Sequence, residues 1–172
     1  MKLDTVLVPL DGSLLAETAL PKAVELARAG DGHLLLIRAT QAHTLPGLDP
    51  SEAQVKVVEE AEEYLARVRE RLAGTGVGGI ETSVWYGQAA YAIVEASRLR
   101  RADLIVMTTH GRSGLGRLIL GSVAESVLRG TTTPILLVRA PEAPVAEPPG
   151  KGEARPWTEI QRDFRYPRGG QP

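Results

Sequence analysis

The sequence predicts an α/β fold: one doubly wound domain with a five-stranded parallel sheet and helices on both faces. Three observations predict it. Val6–Leu10, Leu34–Ile37, Leu104–Met107 and Ile135–Val138 are short, continuous apolar runs bounded by polar or turn residues. Runs of this length, rich in Val, Leu and Ile, suit strands buried on both faces, as in a parallel sheet covered by helices. Between them lie stretches of helical periodicity, and such alternation implies βαβ units with right-handed crossovers.

The elements follow in order. The first strand, Val6–Leu10, leads into a helical stretch at Leu14–Ala29, with Leu15, Ala19, Ala23 and Leu26 on one face. Pro21 lies inside that stretch, so the chain either bends there or has an irregular first turn. After Leu34–Ile37, Ser51–Ala73 repeats Val55, Val58, Leu65, Val68 and Leu72 at three- and four-residue spacing. That is the pattern of an amphipathic helix, and Gly74-Thr75-Gly76 ends it. The acidic pairs Glu59-Glu60 and Glu62-Glu63 belong to its solvated face. Ile80–Trp85 alternates more than the other runs and reads as a half-exposed edge strand. Ala89–Leu99 and Leu118–Leu128 complete the helices. No internal repeat is visible.

Length and composition bound the function. The chain has 172 residues, enough for one core. Its net charge of −1 argues against general nucleic-acid binding, which needs a basic field. There is no cysteine, which removes disulfides, thiolate catalysis and Cys-based zinc sites. The start lacks a signal pattern and no apolar run is long enough to cross a bilayer, so a cytoplasmic, membrane-free protein is expected.

Composition shifts after Arg139. The expected domain covers residues 1–140, and residues 141–172 form a tail dense in Pro, Gly and charge, as disordered segments are. Three of the chain's seven aromatic residues lie there: Trp157, Phe164 and Tyr166. Trp157, Ile160 and Phe164 follow i, i+3, i+7 spacing, so a short docking helix is expected at 157–166.

Two strand ends carry the candidate chemistry, because ligands of open α/β sheets sit beyond the carboxyl ends of strands, where strand order reverses. After the fourth strand come Thr108-Thr109-His110-Gly111-Arg112-Ser113-Gly114-Leu115-Gly116-Arg117, then a helix with Gly121-Ser122 early in it. The glycines allow close backbone approach, the helix start offers free N–H groups, and Arg112 and Arg117 can neutralise phosphate oxygens. The same residues read equally well as a flexible turn with solvated arginines. Gly111 to Leu118 imitates a P-loop, but Arg117 and Leu118 replace its lysine and its magnesium-binding hydroxyl. Asp11-Gly12-Ser13 after the first strand is not a dinucleotide fingerprint. Asp11 suits ribose hydroxyls or a metal held with phosphate, and suits a helix cap or turn equally. Ser13 is at least as well suited to capping. His33, His43 and His110 show no metal-ligand spacing, and no Ser/His/Asp arrangement is evident.

Val6–Ser13, Gly87-Gln88-Ala89 and the block Asp103–Val138 together resemble the universal stress protein family, over about residues 2–139. The resemblance implies strand order 3-2-1-4-5 and dimerisation through the last strand, here 133–138. ATP-binding members resemble G-x2-G-x9-G-[S/T]. On this chain the second glycine is Gly111 and Gly121-Ser122 closes the motif, while Thr108 stands at the first glycine. By similarity, Pro9, Leu10, Asp11, Ala39 and Met107 surround adenine and ribose. Thr108, His110, Gly111, Arg112, Gly114, Gly121, Ser122 and Val123 complete the nucleotide site. Ala39 stands where a larger apolar residue is common, which enlarges the base pocket. The implied ligand is ATP, or ADP or AMP, with Mg2+ as a companion ion. The implied role is a homodimeric stress-response regulator with no catalytic residues, at most a slow ATPase. A nucleotide-independent dimeric adaptor is the alternative.

Overall fold

The computed structural model describes residues 2–41, 50–109 and 120–139. Five parallel strands form one sheet: β1 (Thr5–Pro9), β2 (His33–Thr40), β3 (Ile80–Tyr86), β4 (Leu104–Thr108) and β5 (Ile135–Val138). Their order is β3-β2-β1-β4-β5. The helices are α1 (Leu14–Glu17), α2 (Leu20–Ala29), α3 (Pro50–Leu72), α4 (Ala89–Leu99) and α5 (Ser122–Gly130).

Strand alternation sorts the core into two layers. Val6 and Val8 of β1, Leu34 and Leu36 of β2, and Leu104 and Val106 of β4 pack with Ala16, Ala23, Ala27, Leu65 and Val68 from α1, α2 and α3. Leu7, Leu35, Ile37, Ile105 and Met107 face the other way, onto Ile93 and Ala96 of α4 and Ala124 and Val127 of α5. The central strands are therefore buried on both faces, which is why they read as continuous apolar runs. The expected edge strand β3 is only partly buried along its length. Gly32 lies at the amino end of β2, where a Cβ would come within 1.9 Å of the Leu3 carbonyl oxygen, so no side chain fits that approach.

Three helices differ from expectation. The stretch 14–29 is two helices, because Pro21 has no N–H and is accommodated in a first turn. The chain therefore restarts at Leu20 and leaves α1 as a separate turn. Leu120 and Gly121 are not helical, so the last helix starts later than 118–128 suggests and runs on to Gly130. Gly121 is extended, and its N–H bonds to the Thr109 carbonyl at 2.7 Å instead of an intrahelical partner. Val55 is exposed, although its spacing placed it on the buried face. The buried residues of α3 are Ala61, Leu65 and Val68, so burial begins only at the middle of the helix and does not reach back to Val55. Leu118, His43 and the tail 141–172, with its expected helix at 157–166, lie outside the described residues.

Candidate functional site

Strand order reverses between β1 and β4, and a cavity opens there, at the carboxyl ends of the strands. Its volume is about 260 Å³. Around it, Pro9 ends β1 and Leu10 and Asp11 follow, Ala39 comes from β2, Met107 and Thr108 end β4, and Thr109 follows. Ala16 of α1, Ala89 and Ile93 of α4, and Gly121, Ser122, Val123 and Ala124 at the start of α5 close the remaining sides.

Each wall has a local cause. Leu10 is tied back to the sheet by its N–H, which donates to the Ile37 carbonyl at 2.8 Å. The chain then turns sharply at Gly12, whose φ of 87° lies in the left-handed region that glycine tolerates. Asp11 Oδ1 accepts from the Ser13 N–H at 2.9 Å and from Ser13 Oγ at 2.6 Å. Ser13 Oγ in turn accepts the Ala16 N–H at 3.1 Å and caps α1. Ser13 is thus the cap, and Asp11 is the turn residue that orients it while lining the cavity.

The opposite wall is the amino end of α5. Gly121 is its N-cap and has no side chain with which to satisfy the first amides. The first N–H groups of a helix have no intrahelical acceptor and sit at the positive end of its dipole. Here Ser122, Val123 and Ala124, the first three residues, all face the cavity. This wall suits an anion, while the apolar floor of Ala39, Ile93 and Met107 suits a flat, largely apolar group. Thr108 is buried, at 7% exposure, and lines the β4 side of the cavity.

Of the residues singled out in the sequence, Pro9, Leu10, Asp11, Ala39, Met107, Thr108, Gly121, Ser122 and Val123 come together in this one cavity. His110, Gly111, Arg112 and Gly114, with Ser113 and Arg117, lie outside the described residues. The sequence reading missed Ala16, Ala89, Ile93, Thr109 and Ala124 as lining residues. Ile93 had a signal: it stands one helical turn after Ala89, on the same face of α4. Among the described residues, no cluster of three or more His, Asp or Glu could hold a metal. No described helix is long and apolar enough to cross a membrane.

The universal stress protein family model matches residues 2–139. Universal stress protein MJ0531 of Methanocaldococcus jannaschii is 34% identical over 142 residues, covering 80% of this chain and 82% of that one. The solved UspA from Lactobacillus plantarum shares the fold with a TM-score of 0.72 at 24% identity, over 81% of this chain and 99% of that one. A universal stress protein solved in complex with cAMP matches with a TM-score of 0.63 at 25% identity, over 80% of this chain and 98% of that one. The chain belongs to the universal stress protein family.

Proposed function

We propose that this universal stress protein binds an adenine nucleotide, ATP first among them, in the cavity between the ends of β1 and β4. One observation carries the reading: nine residues chosen from the sequence line a single cavity at the switch point, and one wall is an uncapped helix amino end. The base would lie over Ala39 and Met107, the ribose beside Asp11, and the phosphates along Gly121-Ser122-Val123 toward Gly111, Arg112, Gly114 and His110. Mg2+ would accompany the phosphates. The cAMP complex of a related chain supports the ligand class. The protein would act in the cytoplasm as a homodimer paired through 133–138.

The role is binding and regulation, with at most slow hydrolysis. The described lining supplies no histidine, cysteine or lysine to act as a base or nucleophile. Its one ionisable side chain, Asp11, already accepts two hydrogen bonds from Ser13. A second reading, a nucleotide-independent adaptor, is favoured by Thr108, whose side chain occupies a lining position where ATP-binding relatives resemble glycine.

Mass spectrometry of small molecules released from the purified protein separates the two. Near one adenine nucleotide per chain supports the nucleotide reading. No released ligand, together with no heat of ATP binding in calorimetry, supports the adaptor.

A further inference from the structure

We propose that Glu17 and Tyr64 are positioning residues for this cavity: through them the long helix α3 fixes the Asp11–Ala16 wall. The proposal rests on the nucleotide reading above. α1 has four residues, and a helix so short does not repay its own nucleation. It must be held from outside. Its amino end is held by Ser13 and Asp11. Its carboxyl end is held by Glu17, which accepts from Tyr64 Oη at 2.9 Å and from Arg71 Nη2 at 2.6 Å. Both donors belong to α3, 47 and 54 residues further along the chain.

The Glu17 side chain is 14% exposed, so the bond it accepts from Tyr64 is partly shielded from competing water, while the Arg71 guanidinium reaches it from the solvent side. The Arg38 guanidinium covers the Tyr64 ring at 5.0 Å and restrains it from the β2 side. Burial first, then the hydrogen bond to Glu17, hold the Tyr64 phenol well above its ordinary range, so it stays a donor at any physiological pH. An apolar contact would hold α1 against α3 but leave it free to slide. Two directed bonds to one carboxylate fix its rotation and translation together. A continuous path thus runs from Tyr64 through Glu17, the α1 backbone and Ser13 to Asp11 at the cavity wall.

The test is AMP affinity of the full chain by calorimetry, with melting temperature measured alongside. Tyr64→Phe should weaken AMP binding ~5–10-fold. Glu17→Gln, which keeps an acceptor for Tyr64, should weaken it less. In an Asp11→Asn background, Tyr64→Phe should change affinity less than ~2-fold, because both act through one contact. An equal loss in both backgrounds, or a lower melting temperature with unchanged affinity, overturns the proposal. If the unsubstituted protein binds neither ATP nor AMP, the nucleotide reading fails by itself, and amide exchange decides the anchor. Exchange ~10-fold faster at Ser13 and Ala16 in Tyr64→Phe, with β2 unchanged, upholds it, and equal rates overturn it.

Discussion

Asp11 Oδ1 accepts both the backbone N–H and the hydroxyl of Ser13, at 2.9 and 2.6 Å, so the cavity's one described charged side chain is also the hinge pin of the turn before α1. The two roles separate by substitution. Asp11→Asn keeps an oxygen acceptor for Ser13 and loses the charge. It should lower nucleotide affinity with little change in melting temperature. Ser13→Ala removes the cap and should cost about 1 kcal/mol of stability. A large melting-temperature drop in Asp11→Asn with unchanged affinity would show that Asp11 serves the turn alone.

Gly121 offers a cleaner probe of the phosphate wall. Its φ of −58° and ψ of 146° are open to any residue, so a side chain there brings no backbone strain. Gly121→Val should therefore fold and still block ligand approach to the first amides of α5. The expected loss is at least ~10-fold in ATP affinity, about 1.4 kcal/mol. Equal affinity in a folded Gly121→Val protein places the site elsewhere.

Tyr64 ties stability to alkaline pH. Its folded phenol is raised above the ordinary value of 10.0, by burial first and by Glu17 second. The folded state thus holds the proton more tightly than the unfolded state does. That contribution is complete below pH 10 and is lost as pH rises toward the folded pKa. The melting temperature of the unsubstituted protein should fall above this point, and that of Tyr64→Phe should start lower and fall less steeply. Parallel slopes for the two proteins would contradict the assignment.

The sheet was legible because central strands buried on both faces leave one-dimensional evidence: Leu34–Leu36 and Ile105–Met107 are apolar at every position. Leu10 and Met107 of the site were legible for the same reason, since they end such runs, whereas Ala39, two residues past Ile37, was placed there only by the family resemblance. The helix break at Thr18–Ala19 was less so, because Pro21 signals an irregularity without fixing where the chain restarts. Val55 keeps the spacing of a buried face and is nonetheless exposed, because burial along α3 begins only at Ala61, and periodicity does not tell how far along a helix its neighbours reach. The Glu17–Tyr64 bond had no signal at all. Neither residue type nor a separation of 47 positions marks two polar side chains as partners.

β5 sits at the edge of the sheet, and β4 is its one strand partner among the described residues. Leu136 and Val138 lean on the α1–α3 layer, Ile135 and Leu137 on the α4–α5 layer, and all four are only half-buried. An apolar edge of this kind promotes association unless paired or covered. Sedimentation equilibrium at micromolar concentration should show a dimer. Leu136→Glu or Val138→Glu should give monomer or insoluble protein. A clean monomer for the unmodified chain would sink the pairing.

The last prediction concerns residues 141–172, outside the described structure. Trp157, Ile160 and Phe164 would share one face of a short helix, and burying each would contribute ~1.5–3 kcal/mol. That offsets ordering a few residues at ~1–2 kcal/mol each, but not a proline-rich linker as well. Pro141–Arg155 is therefore expected to stay extended, with Trp157–Tyr166 docked on its own domain or on the partner subunit. Trp157 fluorescence tests this in a Trp85→Phe background. Among the described residues the Trp85 Nε1 has no hydrogen-bond partner to lose, although the ring packs on the core, so the fold of the Trp85→Phe background is checked by its melting temperature. A blue-shifted emission protected from acrylamide supports docking. Emission like that of free tryptophan, fully open to the quencher, would mean that the aromatic spacing holds no contact with this domain.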